Sequence, residues 1–305
     1  MENNMPAKQP STKAVAVGAF KKTLENNFYQ QQLKATLKEN AGTFCTSLME
    51  LVTGDEQLLS CKANDLMAEA MKAASLHLPL NKQLGFAYIL PFNVTDKKTG
   101  TKVMTPSFVI GYKGYLQLAL RTGRYTNINA DVVYEGEFTG IDKLSGTIGL
   151  DGERISDKVV GYFAYFQMTN GFTKMLYMSK KEMMHYAKTY SPTLKYSKVT
   201  EEQLAQMADN QSANGPRPGV GWLNDINAMS IKTVLRRLLN KWGYLSIEMA
   251  AAMTNDEAPM TAETERDEAQ TAPRKVIDVD AVAKPVEPAT PPKEEDNDPD
   301  IGSLE

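Results

Sequence analysis

Two runs of basic side chains have the types and the spacing to grip a polyanion. In GYKGYLQLALRTGRY, residues 111–125, Lys113, Gln117 and Arg121 recur every four residues, so a helix places them on one side. Arg124 follows just past the end, and Tyr112, Leu116, Ala119 and Leu120 form the apolar side. Lys113 falls near the helix N-terminus, where the backbone dipole already favours anions. In NDINAMSIKTVLRRLLNKWG, residues 224–243, Ile231, Val234, Leu235, Leu238 and Trp242 make an apolar stripe. Lys232, Arg236 and Asn240 run along one side of it, with Thr233, Arg237 and Lys241 beside them. Arg236-Arg237 offers two planar guanidinium forks that match phosphate oxygens. Tyr112, Tyr115, Tyr125, Tyr134, Trp222 and Trp242 accompany these charges. A ring beside a basic group can stack on an unpaired base, for about 1–3 kcal/mol each. The competing account of either helix alone is an ordinary amphipathic helix with a solvated basic face. Aromatics at helical spacing are usually core, and that is the expectation for Trp242.

Other chemistry is thinly represented. Asp131, Glu135 and Glu137 share a parity, so an unbroken strand would put three carboxylates on one face, where a nuclease could hold Mg²⁺. A solvated strand and turn is the simpler reading of the same residues. No G-x-x-x-x-G-K-[ST], C-x-x-C or H-E-x-x-H occurs. Gly111 and Gly114 open a helix after a strand, but the spacing is wrong for a dinucleotide turn and no third glycine follows. Ser179 reads as a helix cap, so its neighbour Lys181 does not make it a nucleophile. His77 and His185 are too few and too scattered for a triad. Nothing assembles a nucleophile, a base and an orienting partner, and an enzyme is not the expectation.

Charge divides the chain. The formal net charge is -3, but residues 254–305 hold 15 acidic and 5 basic residues. That leaves 22 acidic and 29 basic residues in 1–253, a net of +7 on the body against -10 on the tail. A basic body attracts polyanions, nucleic acid among them. The third function class left open is an adaptor whose basic helices dock an acidic protein surface. The start, MENNMPAKQPSTK, lacks the apolar run of an export signal, and no window approaches a membrane span. With only Cys45 and Cys61, no disulfide scaffold is expected, and the expected location is the cytoplasm.

The elements that must position these residues are legible in the periodicity. Residues 14–77 repeat apolar positions at three and four, with Asn64 as a candidate cap. LGFAYILPF (84–92) and VMTPSFVIG (103–111) flank a polar turn and predict a β-hairpin. A helix over 112–122 is stopped by Gly123, and residues 126–178 predict a strand meander. Asn170-Gly171 suggests a tight turn with positive φ at both central residues. Ser179 with Glu182 forms a capping-box pattern for a helix to about 188, a small helix is expected over 200–209, and a long one over 224–242. The class is α+β: N-terminal helices, hairpin, central helix, antiparallel meander, C-terminal helices. The expected organisation is a flexible arm over 1–27, a core over 28–253 and a disordered tail over 254–305, rich in Pro, Glu and Asp.

ASLHLPLNKQLGFAYILPF, then PSFVIGYKGYLQLALRTGRY, then MSIKTVLRRLLNKWG resemble the RecT family of phage single-strand annealing proteins, in order and in spacing. The resemblance covers about residues 28–250. It implies an oligomeric protein, a ring or helical filament, that binds single-stranded DNA and pairs complementary strands without ATP or any other cofactor. It implies a core like that of Rad-type annealing proteins, a curved sheet against a central helix with DNA in a basic groove. It also implies partnership with a phage exonuclease and a host single-strand-binding protein. Under that reading Lys113, Tyr115, Gln117, Arg121, Arg124, Lys232, Arg236, Arg237 and Lys241 are the candidate DNA-binding residues, converging in one trough. The sequence departs from the family pattern in its long acidic tail and in KWGYLS (241–246), where a proline-containing turn is expected. The tail would compete for the basic groove, dock a partner, or serve only to keep the chain soluble.

Overall fold

The segment from Thr12 to Ser75 is helical because its apolar residues recur at helical spacing and polar side chains cap its turns. The computed structural model describes residues 12–95 and 100–256; the expected disordered start before Thr12 and the tail beyond Asp256 lie outside the described residues. Helices α1 (Thr12–Leu24), α2 (Asn27–Leu37), α3 (Ala41–Thr53), α4 (Glu56–Leu59) and α5 (Ala63–Ser75) pack on one another. Asn26 caps α2 by accepting from Phe28 N, and Asp55 caps α4 by accepting from Gln57 N and Leu58 N. Asn64 does not cap: the cap position is Lys62 and α5 begins at Ala63, two residues earlier than a cap at Asn64 would place it. The expected arm over 1–27 is also cut short, because α1 buries Phe20 and Leu24 in the core. Residues 12–27 therefore belong to the folded body.

The hairpin is β1 (Ala87–Thr95) against β2 (Lys102–Ile110), in register from Ala87↔Ile110 to Thr95↔Lys102. It delivers the chain to α6 (Tyr112–Arg121) through a very close backbone approach. A methyl carbon on Gly111 would lie 2.1 Å from Gly85 O, and one on Gly114 would lie 2.2 Å from Phe86 O. The glycines of the IGYKGY block thus let α6 lie directly on the strand entry. Gly123 ends the helix region at φ +64°, as glycine allows.

The meander holds β3 (Tyr125–Tyr134), a small hairpin of β4 (Gly140–Asp142) and β5 (Thr147–Gly149), then β6 (Val159–Met168) and β7 (Thr173–Ser179). The main sheet has order β3-β6-β7, antiparallel throughout. The β6–β7 turn differs from the expected one: only Gly171 has positive φ. Gly171 N donates to Met168 O, and Met168 N to Phe172 O, so an ordinary turn followed by a left-handed glycine closes the loop.

Alternation gives the sheet one core face, with Val132, Tyr162, Ala164, Phe166 and Met178. Across it lies α10 (Ile226–Trp242), capped by Asp225 and burying Ile226, Val234, Leu235, Leu238 and Leu239. Around it stand α7 (Lys180–Tyr190), opened by the Ser179–Glu182 capping box, α8 (Pro192–Lys195), and α9 (Glu201–Asn214), capped by Thr200. A last helix, α11 (Ile247–Asn255), was not expected; Ser246 caps it, and Met249, Ala252 and Met253 bury its apolar side. The class is α+β, with a sheet backed by a long helix. Among the described residues, no helix is long and apolar enough to cross a membrane.

Candidate nucleic-acid interface

Helices α6 and α10 touch, and they touch through their inward polar residues. Tyr115 is fully buried, and its hydroxyl donates to Asp256 Oδ2 at 2.8 Å. Lys232 Nζ lies 2.8 Å from the same carboxylate, with the two side chains 11% and 2% exposed. Asp256 also accepts from Ile110 N at 2.7 Å. Arg236 donates from Nη2 to Met253 O at 3.1 Å and lies near Tyr115. Burial, reinforced by the Asp256 charge, holds the Tyr115 phenol well above its ordinary range. Two of the nine candidate residues, Tyr115 and Lys232, thus meet inside the protein on one carboxylate, with Arg236 beside them.

The other six lie further out. Arg121 caps α5, donating to Leu76 O and His77 O at 2.9 Å each. Such a guanidinium satisfies carbonyls left open at a helix end. Lys113 is exposed and lies beside Gly85, and Gln117 is half-buried. Arg124 lies over the Tyr244 ring at 5.3 Å. Arg237 lies over the Tyr186 ring at 5.1 Å, with Nη1 3.4 Å from the Met178 sulfur. Lys241 lies 4.5 Å from the Trp242 ring centre. The Arg236-Arg237 pair does not act as one double fork: Arg236 turns toward α11 and Arg237 toward α7 and β7. Neighbours on a helix are about 100° apart, which is enough to send them to different partners.

Three residues that sequence reasoning did not select belong with the outer group. Lys174, on β7, reaches the Trp242 ring at 5.4 Å. Tyr244 is half-exposed, and its backbone N–H donates to the Tyr125 hydroxyl oxygen at 2.7 Å. Trp242 is only half-buried rather than core. Strand register decides the first: Lys174 pairs with Phe166 and so shares the face that carries α10. The KWGYLS exit explains the second. A methyl carbon on Gly243 would lie 2.5 Å from Leu239 O and 2.9 Å from Tyr125 Oη, so glycine lets the chain turn tightly there.

The three carboxylates considered for a metal are occupied separately. Asp131 accepts from its neighbour Val132 N, Glu135 from Ser156 Oγ, and Glu137 from Tyr134 N. Among the described residues, no group of three or more His, Cys, Asp or Glu side chains is placed to hold a metal ion.

The RecT family model matches residues 32–273, a span that includes both basic helices. The chain is 34% identical over 259 residues to the uncharacterized protein YqaK of Bacillus subtilis (strain 168), covering 84% of this chain and 79% of that one. It is 28% identical over 227 residues to Protein RecT of Escherichia coli (strain K12), covering 72% of each.

Proposed function

Because the chain belongs to the RecT family, we propose that it binds single-stranded DNA and anneals complementary strands in homologous recombination. The observation that carries this reading is the family match across residues 32–273, which takes in the whole sheet, α6 and α10. The +7 body agrees with a polyanionic ligand.

The exposed cations Lys113, Arg124, Arg237 and Lys241 neutralise backbone phosphates. Phosphate contacts carry no base information, so recognition is sequence-neutral. Bases left unpaired remain available to a second strand. Pairing is downhill and draws on no nucleotide hydrolysis, so annealing is ATP-independent. Tyr115, Lys232 and Arg236 support this surface from beneath by fixing α6, α10 and α11 to one another. The protein works as a ring or helical filament, beside a phage exonuclease that exposes the strand and a host single-strand-binding protein that covers it.

The test mixes the full chain with two complementary labelled oligonucleotides, added in turn, with no nucleotide present. Accelerated duplex formation, with rings or filaments in electron micrographs, is the expected result. A rate equal to that of the oligonucleotides alone rejects the reading, and Mg²⁺-dependent loss of the labelled strand replaces it with nuclease activity.

A further inference from the structure

The C-terminal end of α10 gathers cations around aromatic rings without neutralising them. Lys241 and Arg237 stand one turn apart on α10, and Lys174 reaches the same end from β7. Arg124 approaches from the end of α6 and lies over Tyr244. Tyr125 bonds the Tyr244 backbone and packs edge-on against Phe166. Among the described residues, none of these four cations has a carboxylate within 4.0 Å, whereas Lys72, Lys82, Lys158, Lys180 and Lys232 each have one.

That difference has a physical consequence. A carboxylate would cancel the charge and hold the side chain firmly. A ring positions the cation for only about 0.5–1 kcal/mol at an exposed site and leaves the charge whole. A phosphate can therefore draw the ammonium away, because charge-assisted hydrogen bonds are stronger. The departing cation uncovers a ring face of matching size for a nucleobase.

We infer that this cluster is the grip for a single DNA strand: Arg124, Lys174, Arg237 and Lys241 take successive phosphates while Trp242 and Tyr244 stack on unpaired bases. The inference rests on the annealing function proposed above and assigns it to particular residues. Stacking of this kind selects a single strand, because a duplex hides its base faces.

The chain has two tryptophans, and Trp222 is buried. In the full-length Trp222→Phe protein, emission reports Trp242 alone. Binding of a labelled thymidine oligonucleotide is followed by anisotropy, and the unlabelled form by emission. Quenching of Trp242 should saturate at the concentration at which anisotropy does. Separately, Lys174→Gln with Lys241→Gln, in the otherwise natural chain, should flatten the slope of log K against log salt by about 1.4, at roughly 0.7 per phosphate. If Trp222→Phe fails to fold, the natural chain is compared with Trp242→Phe, and the quenched fraction must vanish in the latter. An oligonucleotide that binds with emission unchanged, or with the salt slope unchanged in the double variant, is held elsewhere, and this assignment falls while the family reading stands. No anisotropy rise even at low salt overturns both.

Discussion

Lys232 Nζ and the Asp256 carboxylate, 24 residues apart in sequence, meet at 2.8 Å in a site nearly closed to water. Both oxygens of Asp256 are used, since Ile110 N and Tyr115 Oη donate to it as well. One carboxylate therefore ties the hairpin exit, α6, α10 and the end of α11 together. It is also the third residue of the segment whose composition reads as tail.

The folded body therefore ends later than the composition shift at Met253. Removing one partner of a buried ion pair strands the other, at a cost of about 3–5 kcal/mol. Truncation after Met253 should lower the urea unfolding free energy by about that amount or abolish cooperative unfolding, and Asp256→Ala should do much the same. Truncation after Asp256 should leave stability near that of the full chain. Two truncations of equal stability would show that Asp256 has no such role.

The adjacent arginines should separate cleanly. Arg236 is half-buried and bonded to Met253 O, so Arg236→Ala should cost about 1.5–3 kcal/mol in urea unfolding. Arg237 is exposed over Tyr186, so Arg237→Ala should stay within about 0.5 kcal/mol in the same assay. Binding should show the opposite order once folding is accounted for, with Arg237→Ala weakening all oligonucleotide sequences alike. A loss confined to certain sequences contradicts backbone recognition.

The legible parts of this chain are those governed by local rules. The capping box at Ser179–Glu182, the hairpin pairing Ala87 with Ile110 and the stop at Gly123 all follow from residue type and short spacing. The basic stripes were legible as stripes, but not the direction in which each side chain points. The buried pairing of Lys232 was not legible because its partner Asp256 lies beyond a turn and all of α11, in a segment whose acidity hid it. The contacts of Arg121 to Leu76 O and His77 O were not legible, because nothing local shows that α5 ends beside it. Lys174 was overlooked because its place on the α10 face depends on register with Phe166, a non-local relation.

Alkaline pH should expose the Tyr115 site. Its phenol is held well above the ordinary value near 10, first by burial and then by Asp256. A raised folded value means that the stabilisation is complete below the unfolded value and is lost as pH climbs toward the folded one. The unfolding free energy should therefore fall above about pH 10, with Tyr115 contributing about 1.4 kcal/mol per pH unit. Tyr115→Phe should be less stable at neutral pH, having lost its bond to Asp256, yet decline less steeply above pH 10. Equal slopes for the two proteins would show that Tyr115 ionises as freely in the fold as outside it.

Two glycines in helices should respond oppositely to the same change. Alanine favours a helix interior by up to about 1 kcal/mol over glycine. At Gly18, in α1, a methyl carbon would meet nothing within 4 Å, so Gly18→Ala should stabilise by up to that amount. At Gly114, in α6, the same carbon would sit 2.2 Å from Phe86 O and 2.7 Å from Ile110 Cγ2. The first neighbour is backbone and cannot rotate away, so the helix or the strand entry must shift, and overpacking of this kind costs about 1–3 kcal/mol. Gly114→Ala should therefore be net destabilising despite its better propensity, by urea unfolding at neutral pH. It should also weaken single-strand binding, because α6 carries Lys113 and leads directly into Arg124. A Gly114→Ala protein as stable as Gly18→Ala would mean that α6 can move off the strand entry at no cost, and that the close approach is not what fixes its position.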